Sequence, residues 1–386
     1  MTIDREEQIG SLDRSSKLPG LSIGLENARP YDCILRWLIS GTRSASMPYL
    51  DGLRGIAVLY VVVSHYSLFE QKAYAAVGPI GHYGVYLFFL LSSFLLTGLF
   101  VRSLRRRSFG REILIYAKRR VLRIYPMFSV TLIALALIPS FNRMMFAGNE
   151  FSYLDQFFLL NAGGNYWALG VEFEFYFLLP LFPIAFVLAR HPYLKLGVAA
   201  VVATLVALQW HWNYFAAPPN YPHVPAYIYL FLMGQALALV NIMIEDGDLP
   251  KPPRALALLL FSAGLVGELY LIPGIGKDMI APLIGAEASF RALASDGNVT
   301  ALWALMLFGI LYSGDEVQRA LSFGWLRHIG VVSYSIYLTH IFVLSQFAQL
   351  QPSLSIMPIL LLSLLGTLML STLTYLLVER PFMRLR

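Results

Sequence analysis

Cysteine is almost missing from this sequence: Cys33 is the only one in 386 residues. That excludes an intramolecular disulfide framework and a cysteine-based metal site. Charge is scarce too. Asp, Glu, Lys and Arg make up 13% of the chain, against about 25% in a soluble domain. Strict alternation of apolar and polar residues is also missing, which excludes an outer-membrane barrel. The first 28 residues, Met1 to Ala28, hold no apolar run, so no cleavable signal peptide is expected. No metal-ligand spacing surrounds His211 or any other histidine, so no metal site is expected. No strong internal repeat is visible, which weakens an inverted-repeat transporter.

What the chain does hold is apolar length. It is 57% hydrophobic with a mean hydropathy of +0.62. The excess runs along most of the sequence and exceeds what one soluble core can bury. The expected class is an all-α, polytopic integral membrane protein, with the lipid bilayer as its first partner. A span needs about 20 apolar residues. Ten are read, at 48–68, 82–101, 121–140, 166–188, 196–213, 225–243, 255–272, 299–313, 329–349 and 356–378. Residues 1–46 are expected to form a cytoplasmic tail, partly disordered, with a short interfacial helix at Pro30–Ser40. Residues 47–386 form the transmembrane domain. After its last span only "ERPFMRLR" remains, so no appended soluble domain is expected.

Orientation follows from the cations. With the N-terminus inside and the spans alternating, 25 of the 29 Lys and Arg fall on the cytoplasmic side. Only Lys72, Arg143, Lys277 and Arg291 fall outside. Both termini are therefore expected in the cytoplasm. The same count explains the net charge of +6 without nucleic-acid binding.

Three stretches carry chemistry. In the first span, "LDGLRGIAVLYVVVSHY", Arg54 and His65 stand eleven residues apart. Eleven residues are close to three helical turns and about 16 Å, so both side chains face one way. A cation then lies at the membrane surface and a proton acceptor deeper in. Intramembrane ionisable residues are costly and mark functional cavities, and histidine suits general-base work near neutral pH. Asp51 lies on the same helix, near Arg54. In the basic stretch "VRSLRRRSFGREILIYAKRRVLRIYPMF", Arg105, Arg106 and Arg107 read as membrane anchors. Arg120 and Arg123 share a helix face at i, i+3 and suit a phosphorylated ligand. In "VSYSIYLTHIF", Ser333, Tyr337 and His340 fall on one face and are expected to line the same cavity. "QWHWNYF" (209–215) suits an outer aromatic belt, with sugar contact by Trp210 and Trp212 as the alternative.

With these residues in view, the chain resembles the membrane-bound acyltransferase-3 family over about 47–386. Arg54 to His65 is similar to its R-x10-H pattern. "FFLLSSFLLTGLF", "RRVLRIYPMF", "NYWALGVEFEFYFLLPLF", "VSYSIYLTHIFVL" and "ERPFMRLR" follow its later motifs in order. The chain departs from the pattern at Ser93, where glycine is usual, and at Ala168, where serine is usual. Phe173 replaces a second acid, and Glu174 follows one place later. Glu172 and Glu174 lie about 200° apart on a helix, so only Glu172 is carried over to the site.

The resemblance implies an acyltransferase with acyl-CoA, usually acetyl-CoA, as cytoplasmic co-substrate and no permanently bound cofactor. The implied acceptor is a sugar hydroxyl of an envelope or exported glycan, and the implied location is the bacterial inner membrane. Arg120, Arg123 and Arg54 would hold the phosphates. His65 would act as base, with Glu172 orienting it. Ser92, Trp167 and Tyr176 are the candidate oxyanion donors or cavity residues. Glu379 is expected to pair with a cytoplasmic arginine. Two alternatives stay open: a small-molecule or lipid-linked acceptor, and a proton-coupled transporter using His65, Glu172 and Arg54 as a relay.

Overall fold

The computed structural model describes residues 47–106, 108–146, 152–212, 220–284, 295–350 and 356–385. The expected N-terminal tail and its interfacial helix lie outside these residues. Among them there are helices and no strands. The main ones are α1 (Pro48–Tyr66), α2 (Ile80–Leu104), α3 (Phe109–Leu137), α4 (Trp167–Leu178), α5 (Leu181–Leu188), α6 (Pro192–Trp212) and α7 (Ile228–Glu245). They are followed by α8 (Arg254–Leu271), α9 (Asp296–Tyr312), α10 (Gly324–Val331), α11 (Ser333–Phe347), α12 (Ile356–Thr374) and α13 (Arg380–Arg384).

Eight helical stretches are long and apolar enough to cross a membrane, or ten if two bent pairs each count as one span. The chain is thus a multi-pass membrane protein, and the ten expected segments are all helical. Two of them are broken. The segment expected at 299–313 is not one of these: it is α9, and the chain turns by 119° only after its end, into the short helix Asp315–Leu321. The segment expected at 329–349 is broken into α10 and α11, which meet at 76°. The segment at 166–188 is interrupted between α4 and α5, at Leu179 and Pro180. Large apolar side chains stand exposed on the outward faces, among them Leu114, Leu137, Phe177, Leu188 and Met369. In water such a surface would be a liability; against lipid tails it is the expected solvent contact.

Helices α1 and α2 pack together, α2 packs on α7, α8 on α9, and α10 crosses α1. The α1–α10 crossing depends on missing side chains. A Cβ on Gly330 would overlap the Asp51 carbonyl, and one on Gly55 would crowd the backbone of Leu326. Small residues at such crossings let two backbones meet and stand in for the weak drive to associate in lipid. A similar approach joins α2 to α7. Gly234 lies against Leu90 and Ser93, and the Ser93 hydroxyl donates to the Phe231 carbonyl at 2.6 Å. Ser93 is fully buried, so the departure from glycine at this position supplies a bond between two spans.

Candidate active site

The first site is built around the last turn of α1. His65 Nδ1 lies 2.8 Å from the Val61 carbonyl oxygen, one turn back. A carbonyl only accepts, so in the neutral ring the proton sits on Nδ1 and the lone pair on Nε2. His340, on α11, repeats the pattern, with its Nδ1 3.1 Å from the Ile336 carbonyl. Its Nε2 is therefore an acceptor. That nitrogen lies 3.1 Å from Asn165 Nδ2 and 3.4 Å from His65 Nδ1. The two imidazoles meet edge to face with centroids 5.0 Å apart. Asn165 is within hydrogen-bonding reach of His65 as well, and the Tyr337 hydroxyl donates to the Asn165 backbone carbonyl. His340 is fully buried and His65 is half-buried. The Nδ1 contacts in this cluster agree with one arrangement, with the lone pair of His65 on Nε2.

His340 thus meets His65, while Tyr337 reaches Asn165 and the His340 ring. Ser333 is fully buried, and its hydroxyl finds no hydrogen-bond partner among the described residues. Asn165 had no role in the sequence reading. Its only signal there was its place two residues before Trp167.

The second cluster lies along α3 and α4. Glu172 accepts from the Tyr176 hydroxyl at 2.7 Å. The Tyr176 carbonyl accepts from the Tyr116 hydroxyl at 3.2 Å. The Arg120 guanidinium sits over both rings, 5.9 Å from the Tyr116 centroid and 5.5 Å from that of Tyr176. Its Nε is buried without a hydrogen-bond partner. Glu172 therefore belongs with Tyr176 and Arg120, and the bonds that hold His65 come from Val61, His340 and Asn165. Glu174 points elsewhere. It accepts from His223 Nδ1 at 2.7 Å and from the Val224 amide at 2.8 Å, tying a loop to α4.

Arg123 differs from Arg120. It is ion-paired with Glu379, lies 5.2 Å from the Tyr334 ring centroid, and contacts the Met383 sulfur at 3.1 Å. Glu379 also accepts from the Ser335 hydroxyl at 3.0 Å. The expected pairing of Glu379 with an arginine is present, and its partner is one of the two arginines expected to hold phosphate.

At the Arg54 end of α1, Asp51 is buried and faces Arg327 Nη2 at 4.0 Å. Among the described residues, the Nε atoms of Arg54 and Arg327 are buried without hydrogen-bond partners. Arg327 is a further cation that the sequence reading had counted only for orientation. Ser92 is half-buried on α2, beside the Ser93 that bonds to α7. Trp167 is buried at the start of α4, with its ring 5.1 Å from that of Tyr227 and 6.1 Å from that of Phe89.

Fold and site define a helical membrane protein with a pair of histidines at one end of a span and an arginine at the other. A family model described as an acyltransferase domain matches residues 47–376, and the chain belongs to the acyltransferase-3 family. It is similar to the peptidoglycan O-acetyltransferase OatA of Listeria monocytogenes, at 24% identity over 316 residues, covering 76% of this chain and 49% of that protein. It is also similar to the putative peptidoglycan O-acetyltransferase YrhL of Bacillus subtilis, at 25% over 367 residues, covering 87% and 54%. An uncharacterized protein of Haemophilus influenzae matches at 26% over 235 residues, covering 51% of this chain and 93% of its own length. The chain thus spans about half the length of the first two relatives. No solved structure matches it.

Proposed function

We propose that this chain is a membrane O-acetyltransferase of a bacterial cytoplasmic membrane, moving an acetyl group from acetyl-CoA to a sugar hydroxyl of an envelope or exported glycan. The observation that carries the reading is the fixed tautomer of His65, with Nε2 free to take a proton. Family membership and the names of the relatives support the group transferred. The relatives' names point to a glycan of the cell envelope as acceptor.

In this reading both termini face the cytoplasm and acyl-CoA enters at the Arg54 end. Arg54 and Arg120, whose Nε atoms have no hydrogen-bond partner among the described residues, take the phosphates. Arg123 is engaged by Glu379 and holds α3 against the end of the chain. The pantetheine arm runs along α1 and brings the thioester near His65. The acceptor oxygen attacks the acyl carbon while His65 Nε2 removes its proton. His65 then holds two protons, and His340 Nε2 receives the hydrogen bond from its Nδ1. The C–O bond forms, the C–S bond breaks, and the leaving thiolate of CoA takes the proton back from His65 Nε2, which restores the neutral ring.

The test uses the full chain in proteoliposomes with radiolabelled acetyl-CoA, together with a host deletion strain restored with wild type or with His65→Ala. O-acetyl groups on surface and secreted glycans are measured by NMR and mass spectrometry. The expected result is one O-acetyl signal lost on deletion, regained with wild type and absent with His65→Ala at equal membrane levels. Full recovery with His65→Ala would overturn the assignment of the base. Unchanged glycans in every strain would overturn the glycan acceptor.

A further inference from the structure

A second set of polar and aromatic side chains gathers at the same end of the molecule as His65. The start of α2 lies against the last turn of α1: a Cβ on Gly81 would meet the Ser64 side chain. His82 follows on α2, close enough to His65 for charges on the two rings to interact. Its Nε2 is 2.9 Å from Asn220 Oδ1. Its ring is 6.0 Å from Trp167 and 6.2 Å from Tyr86, and Trp167 in turn is 5.1 Å from Tyr227. Asp296, in the first turn of α9, lies within hydrogen-bonding reach of Tyr86 and acts electrostatically on His82 and Tyr227.

The gradient of exposure across this set is orderly. Trp167, Tyr86 and Tyr227 are buried, His82 is half-buried, and Asn220 and Asp296 are exposed. An interfacial aromatic belt would account for the rings alone. It would not account for a carboxylate, a carboxamide and an imidazole brought from three separate chain segments to one rim. Sites for small polar ligands have this build, an aromatic floor with a few converging polar groups. A pyranose ring matches it. Its C–H face lies on aromatic rings, and its hydroxyls are both donors and acceptors. A carboxylate supplies strong acceptors for such hydroxyls, and an amide supplies a donor and an acceptor.

Building on the proposed glycan acceptor, we propose that His82, Trp167, Tyr227, Asn220 and Asp296 form the acceptor subsite. It seats one pyranose ring over the half-buried His82 ring, with Trp167 and Tyr227 packed beneath it, and with a free hydroxyl turned toward His65 Nε2. Asp296 and Asn220 bind the neighbouring hydroxyls. Acetyl donor and sugar then approach His65 from opposite ends of α1.

The test is a kinetic split on the full chain in nanodiscs, with acetyl-CoA as donor and chitopentaose, maltopentaose or glycerol as acceptor probe. Asp296→Ala and His82→Gln are expected to raise the KM for the pentasaccharide about tenfold or more, with the KM for acetyl-CoA as in wild type. Asn220→Ala, at an exposed loop position, gives the same split should Asp296→Ala fail to fold. Saturation-transfer NMR with the same saccharides on His65→Ala reads binding without turnover. Saccharide signals that vanish in the Asp296→Ala, His65→Ala double variant support the subsite even where no transfer is seen. Transfer to a pentasaccharide with unchanged KM in all three variants would overturn the subsite and leave the acetyltransferase reading intact. Transfer to glycerol alone, with no saccharide signal, would overturn the subsite and the glycan acceptor together. Absence of both transfer and saccharide signal would overturn the subsite as well.

Discussion

One proton decides what His65 can do. A histidine with its Nδ1–H committed to a backbone carbonyl presents Nε2 as a base. Removing the ring by His65→Ala is expected to lower kcat by about two to four orders of magnitude, measured as acetyl transfer at equal protein. The neighbouring ring acts through His65. Replacing His340 with Ala deprives His65 Nδ1–H of its second acceptor, worth about 1–2 kcal/mol and about tenfold in kcat. The KM for acetyl-CoA is expected to stay fixed, and His340→Asn, which retains an acceptor, to recover part of the loss. Steady-state kinetics of the three proteins checks both statements. His65 itself was legible in the sequence, because a histidine inside an apolar span needs a reason. The pairing with His340 rested on a shared face and a family motif, since 275 residues separate the two. Asn165 was not legible: a polar residue in a loop has many satisfied states, and only packing reveals that its amide faces two imidazoles.

Among the elements, α1 is held by a glycine crossing at one end and by histidine contacts at the other. A side chain at Gly330 has backbone to displace, since its Cβ would overlap the Asp51 carbonyl. Gly330→Val is expected to cost about 1–3 kcal/mol and to displace Asp51 and Arg54, seen as a lower Tm in detergent and weaker acetyl-CoA binding. The tie between α3 and the end of the chain is the buried Arg123–Glu379 pair, whose carboxylate is 1% exposed. Glu379→Ala removes the carboxylate that the half-buried Arg123 guanidinium pairs with and is expected to cost about 3–5 kcal/mol. Adding Arg123→Met should restore most of that stability, which thermal unfolding of the single and double variants will show. Helix positions were readable because twenty apolar residues in a row admit few alternatives. The turn at Ser313–Gly314 falls where the expected segment ends, at the start of the polar run "SGDEVQR". The break at Val332 was not readable, because the sequence around it stays apolar. The helices Asp315–Leu321, α10 and α11 all pack against α1, contacts that no local pattern encodes.

Across the whole molecule, ion pairs gather where α2 and α7 end, and there they form a lattice between spans. Arg102 pairs with Glu245 at 2.8 Å, Arg105 with Asp246 at 2.6 Å, and Lys195 with Asp248 at 2.5 Å, linking α2, α6 and the end of α7. The Arg105 guanidinium beside Asp246 holds that carboxyl below its ordinary value of 3.8. A lowered carboxyl contributes stability above its unfolded value and loses it as pH falls through the lowered folded value. The Tm difference between wild type and Asp246→Asn is thus expected to be constant above about pH 5 and to close as pH falls below about 4. Added salt should narrow it at every pH. The excess of cations at this end was legible from the sequence; which carboxylate meets which cation was not, since each pair joins residues tens to hundreds of positions apart. The straightness of α1 has a last consequence. Arg54 and His65 ride one rigid rod about 16 Å apart, so the helix works as a ruler. Under the proposed reading it grades donors by reach: a thioester on a full pantetheine arm arrives at the base with its phosphates still anchored, and a shortened arm must let go of one end to touch the other.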